Sequence, residues 1–163
     1  MKEVSEERQW LHGWDDWHDG AVALINNAGR NIKIFIHTLS PGIYDRSDLV
    51  SALSKLIKEN RHASIKILVT DPLPAIQNGH QLISLSRRLS SYIQIKRVAQ
   101  DYAHHEEEFI LVDDINLMFK IRYNDHKFWL QAKAIPDAQR YANWFTEVWE
   151  RSEIDPEFRE LKL

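Results

Sequence analysis

The chain has 163 residues, 44% apolar and 28% charged, which is a one-domain length with the balance of an ordinary globular protein. Its formal net charge of -3 lacks the basic footprint that phosphate neutralisation leaves on nucleic-acid binders, so nucleic acid is not expected as a partner. The absence of cysteine excludes disulfide frameworks, thiol nucleophiles and thiolate zinc sites.

The first residues, Met-Lys-Glu-Val-Ser-Glu-Glu-Arg, are too charged for a signal peptide and read as an N-terminal arm over 1–13. No apolar run approaches the ~20 residues that span a bilayer, so the expectation is a cytoplasmic protein without membrane contact. Trp14, Trp17, Ala21, Leu24, Ile25 and Ala28 recur at helical spacing and predict a helix over 14–28, ended by Gly29. Residues 32–37 alternate as a strand. After Pro41-Gly42, Asp45 reads as the N-cap of a helix with Leu49, Val50, Leu53, Leu56 and Ile57 on one stripe. A strand over 65–70 stops at Asp71-Pro72. A third helix, beginning at Ala75 or Gly79, buries Leu82, Leu85 and Leu89 and leads to a strand over 92–98.

This order favours parallel strands with crossover helices. The second half changes character. Strands over 108–112, 117–123 and 127–132, joined at Asp113-Asp114 and Asn124-Asp125, predict an antiparallel meander. A last helix covers 137–151, and Asp155-Pro156 opens a short terminal turn. The fold class is therefore α/β within a single domain spanning 1–163, with a mixed sheet of strand-helix-strand units followed by a meander and flanked by helices.

The segment with most chemistry is His104-His-Glu-Glu-Glu-Phe-Ile-Leu-Val-Asp-Asp114. With the order of elements around it, it resembles one half of the phospholipase D superfamily fold, whose signature is His-x-Lys-x4-Asp. Aligned on Asp113, the resemblance puts Glu108 where the phosphate-holding lysine belongs and Glu106 where the histidine nucleophile belongs. The Gly-Ser that commonly follows is missing. In the superfamily two copies of the half-domain meet in one site, which implies a homodimer. The segments Gly79-His80-Gln-Leu-Ile-Ser-Leu-Ser-Arg87-Arg88-Leu-Ser-Ser91 and Trp149-Glu-Arg-Ser-Glu-Ile-Asp155-Pro-Glu-Phe-Arg159 resemble a bacterial domain family of unknown function. That family is sometimes fused to GNAT-type acyltransferases, so the resemblance implies an acyltransferase or other protein partner.

A carboxylate neither attacks phosphorus readily nor holds phosphate oxygens. Two like unit charges at 4 Å repel by about 4 kcal/mol at an effective dielectric near 20. Ionised Glu106 and Glu108 would thus expel phosphate. A slip of one or two residues brings His104 or His105 to the nucleophile position and leaves the lysine position acidic. Alternation also sets His104, Glu106 and Glu108 on one face, a geometry open to a divalent metal, although a solvated strand entrance is the simpler reading and no cofactor or metal is expected.

The carboxyl ends of the parallel strands, where such sheets bind ligands, carry His37 and Asp71. A helical wheel groups His80, Ser84, Arg87 and Ser91 opposite the leucine stripe, so His80 with Arg87 or Arg88 offers an anion or partner site, against the plainer reading of a solvent face. Trp14, Trp17 and Trp149 lie on core stripes, whereas Trp10 and Trp129 suit an interface. The leading expectation is a non-catalytic, phospholipase D-like binding or regulatory module with candidate ligand residues His37, Asp71, His80, Arg87, Arg88, His104, His105, Glu106 and Glu108. The alternatives are a hydrolase with shifted histidines or a metal, and a domain serving dimerisation only.

Overall fold

A computed structural model describes residues 3–78 and 80–156. Seven strands form one mixed sheet in the order β1-β7-β6-β5-β2-β3-β4. Strands β2 (Asn31–Ile36), β3 (Ser64–Val69) and β4 (Ile93–Arg97) run parallel. The helices between them pack their apolar stripes on one face, which is what forces strand-helix-strand crossovers. Strand β2 also pairs antiparallel with β5 (Glu108–Val112), and β6 (Asn116–Lys120) and β7 (Lys127–Gln131) continue the meander. Strand β1 (Gln9–His12), inside the segment read as an arm, pairs antiparallel with β7 at the sheet edge.

On one face α1 (Trp14–Asn26), α2 (Pro41–Tyr44), α3 (Ser47–Glu59) and α5 (Gln81–Arg88) enclose Trp17, Leu24, Ile34, Leu53, Ile67 and Met118. On the other, α6 (Asp137–Arg151) closes over Phe35, Phe109, Leu111, Phe119 and Phe145. Each of these large side chains contributes about 1.5–3 kcal/mol by leaving water. Gly20 lets α1 approach β6, since a Cβ there would meet Met118 Sδ at 2.8 Å.

Several expected details are corrected. The helix read as one unit after Asp71-Pro72 is two, α4 (Leu73–Asn78) and α5; Gly79 lies outside the described residues, as does the turn expected after Pro156. Asp45 does not cap α3, whose N-cap is Arg46 with no side-chain bond. Its Oδ1 instead accepts the Gln81 N–H at 2.7 Å, so this carboxylate ties the α2–α3 corner to the start of α5. Trp14 is 51% exposed, at the helix start where its stripe has run past the core edge, while Trp129 is buried beneath the Arg8 guanidinium, 3.6 Å away.

Candidate functional site

Residues 103–107 run as turn and irregular chain, and strand β5 begins only at Glu108. Strict alternation therefore does not reach back to His104. Glu106 and His104 are exposed, whereas Glu108 is 8% exposed. Directly across the ladder on β6 stands Lys120, 3% exposed, its Nζ 3.8 Å from Glu108 Oε2. The other carboxylate oxygen, Oε1, accepts the His37 backbone N–H at 2.9 Å. The Lys120 ammonium also lies 4.4 Å from the Trp17 ring centre and 4.9 Å from that of Trp14, both carried by α1. Helix α1 thus lids the position, and Tyr44, which accepts a hydrogen bond from Trp17 Nε1 at 3.1 Å, fills the space behind it.

Burial pushes the Glu108 carboxyl up to about 7, against the His37 N–H and the Lys120 charge, which pull it down. Burial likewise lowers the Lys120 ammonium, with Glu108 and Asp125 opposing. The Tyr44 phenol is raised, first by burial and then by the Glu108 charge. In all three the largest cause is burial, and the Glu108 and Lys120 charges, 3.8 Å apart, offset it only in part for one another.

His37 and Glu106 meet Glu108 at the same end of the sheet. The His37 ring stacks on Tyr123 at 3.9 Å between centres, and the Tyr123 N–H donates to the Glu106 carbonyl at 2.6 Å. The Glu106 carboxylate pairs with Arg122 Nε at 3.5 Å in an exposed setting, where such pairs contribute little. Asp113, the aspartate of the aligned signature, has a positive φ of 54° in the β5–β6 turn and accepts N–H bonds from Gly29, Arg30 and Asn31 at 2.8, 2.8 and 3.0 Å. It anchors the α1–β2 corner.

The remaining candidates are dispersed. His105 packs 4.7 Å from the Trp144 ring and sets Nδ1 3.3 Å from Glu107 Oε2. With Glu107, Arg140, Tyr141 and Trp144 it lines a cavity of about 210 Å³ beside α6, and His104 lies outside against the His105 ring. His80 is the buried N-cap of α5, its Nδ1 accepting the Leu82 N–H at 3.2 Å. Asp71 Oδ1 accepts the Leu73 N–H at 3.3 Å at the start of α4. Arg87, at the other end of α5, lines a separate cavity of about 350 Å³ along β4 with Ser86, Gln94 and Ile154, and Arg88 is exposed. The helical-wheel grouping fails because His80 precedes α5 and Ser91 follows it. Among the described residues no cluster of three or more His, Asp and Glu side chains is arranged to hold a metal ion.

Sequence reasoning passed over Lys120, which reads as the polar exit of an apolar strand until the register sets it against Glu108. It also passed over His18, buried on α1, with Nδ1 3.1 Å from the Ile43 carbonyl oxygen and Nε2 2.7 Å from Asp48 Oδ2. A histidine on an apolar stripe was the available signal.

The chain belongs to the family described as Domain of unknown function (DUF7931), whose model matches residues 14–161. No curated protein matches it. Among solved structures it is similar to Nuc from Salmonella typhimurium, a phospholipase D family member, with a TM-score of 0.64 at 13% identity over 91% of this chain and 99% of that one. It is similar to NucT from Helicobacter pylori with a TM-score of 0.61 at 12% identity over the same shares. An archaeal chromatin protein, TrmBL2, described for a novel mode of DNA binding, matches with a TM-score of 0.66 at 14% identity over 91% of this chain. This chain spans about half of that protein, 54% of its length. The fold is phospholipase D-like. The partner expectation, a homodimer and an acyltransferase or other protein partner with no nucleic acid expected, is corrected by the chromatin-protein likeness, because net charge alone does not remove nucleic acid from the candidates for this fold. No helix among the described residues is long and apolar enough to cross a membrane.

Proposed function

We propose that this domain is a phospholipase D-like binding module that no longer performs phosphoryl transfer. The observation that carries the reading is the buried Glu108–Lys120 pair. Where the superfamily signature sets a lysine free to hold phosphate, this chain has a carboxyl whose lysine partner comes from the neighbouring strand and is consumed by it. To bind phosphate there, Lys120 must abandon Glu108 inside a pocket that already disfavours both charges, and removing one partner of a buried pair costs about 3–5 kcal/mol. His104 and His105 lie on the loop outside this pocket, with His105 held against Trp144 and Glu107.

Likeness to the chromatin protein supports nucleic acid as the class of partner. Turnover of a chromogenic phosphodiester tests the loss of catalysis, and none above background is expected. Turnover by the wild-type domain that His104→Ala or His105→Ala abolishes would overturn the reading and favour the hydrolase with shifted histidines.

A further inference from the structure

We infer that the part of the sheet face beside the end of α6, where the half-buried Lys33, Lys66 and Lys96 gather near Trp149, is a contact surface for the phosphate backbone of nucleic acid. The inference rests on the reading of the domain as a binding module, but not on its loss of catalysis.

Three observations carry it. The first is register. Lys33 on β2 is the direct neighbour of Lys66 on β3, and Lys96 on β4 follows beside Leu68, two residues further along. All three share the face that carries Phe35, Leu68 and Val98, on which α6 packs, and each is half-buried there. Like charges on adjacent strands destabilise a sheet, so neutral polar residues would suit the fold alone better.

The second is the shortage of countercharge. Lys33 reaches Asp114 at 2.6 Å. Among the described residues neither Lys66 nor Lys96 has a carboxylate within ion-pair distance. Their ammonium groups converge on the Trp149 ring, at 5.4 and 4.4 Å from its centre. Burial and then the charge of Lys66 lower the Lys96 ammonium, and Glu150 offsets this only in part. Lys96 also donates to the Trp149 carbonyl at 2.9 Å, which closes the end of α6. That role accounts for Lys96 and leaves Lys66 beside Lys33 without one.

The third is the kind of charge. The patch is a staggered set of ammonium groups on three adjacent strands, with the neutral Ser64 and Gln94 among them. Such groups suit a phosphodiester chain, which asks for charge without the fork geometry of carboxylate recognition. Phosphates would supply the countercharge that the fold withholds.

The experiment is fluorescence anisotropy of a labelled DNA duplex of about 20 base pairs titrated with the domain across a salt series. Lys66→Gln/Lys96→Gln should weaken binding at least tenfold at low salt and reduce the slope of log K against log salt by about 1.8, the effect of two lost phosphate contacts. Lys66→Gln alone leaves the Lys96 bond to α6 intact and should reduce the slope by about 0.9. Lys58→Gln, on the exposed side of α3, should change nothing. Far-ultraviolet circular dichroism confirms that each variant is folded. The inference is overturned if the wild-type domain does not bind the duplex, if the lysine variants keep its affinity and slope, if Lys58→Gln weakens binding equally, or if polyglutamate competes as well as unlabelled DNA. Diester turnover, measured separately, tells failure of this surface from failure of the non-catalytic reading.

Discussion

Glu108 and Lys120 face each other across the β5–β6 ladder with their charged atoms 3.8 Å apart, and neither side chain reaches solvent by more than a tenth of its area. The distance is at the long end for an ion pair. Both titrations are shifted toward the neutral forms, so desolvation outweighs pairing here. Removing one partner should therefore cost more than removing both. Glu108→Ala is expected to lose about 3–5 kcal/mol by urea denaturation, and Glu108→Leu/Lys120→Met to recover most of it. A double variant as unstable as the single one would mean that the pair is not coupled.

The pH dependence has a definite sign. In the folded chain the Glu108 carboxyl titrates at about 7, above its ordinary 4.5, so between these values the folded state holds a proton that the unfolded state has released. Its contribution is fully present below pH 4.5 and is lost as pH rises through 7. The loss is on the order of 3 kcal/mol at about 1.4 kcal/mol per pH unit. Glu108→Gln should flatten this part of the stability curve. An unchanged slope in the variant would assign the dependence to another group.

Glu106 should behave as the opposite of Glu108. It is exposed and paired only with the exposed Arg122, so Glu106→Ala is expected to change stability by less than about 0.5 kcal/mol. A loss comparable to that of Glu108→Ala would show that the two carboxylates act together.

Asp113 carries three backbone N–H groups of the α1–β2 corner on one carboxylate. Asp113→Ala leaves them without this acceptor and should cost about 2–3 kcal/mol. Asp113→Asn, which keeps one acceptor oxygen, should cost less. A loss under about 0.5 kcal/mol for Asp113→Ala would show that these hydrogen bonds do not hold the corner.

Period-two alternation and helical stripes sufficed to read the parallel strands, the meander and the 137–151 helix, since each buries a regular face that composition marks. Strand β1 escaped because Gln9–His12 is an edge strand with little burial, so no alternation marks it. The character of the site escaped for a different reason. The acid at position 108 was legible as a departure from the superfamily signature, but its burial depends on α1 folding over β6, and its partner depends on a register that no local pattern encodes. A lysine after Leu117-Met-Phe looks like a strand meeting solvent until Trp14 and Trp17 are set over it. Net charge was a poor ground for setting nucleic acid aside, because a sum over the chain does not show how its charges are distributed.

The most direct test is a carbon-13 NMR titration of the Glu108 carboxyl, assigned with Glu108→Gln, with and without inorganic phosphate. A sealed pair predicts a midpoint near 7 that phosphate does not move. A midpoint near the ordinary 4.5, or one displaced by added phosphate, would show an open site with Lys120 free to take an anion and would contradict the account.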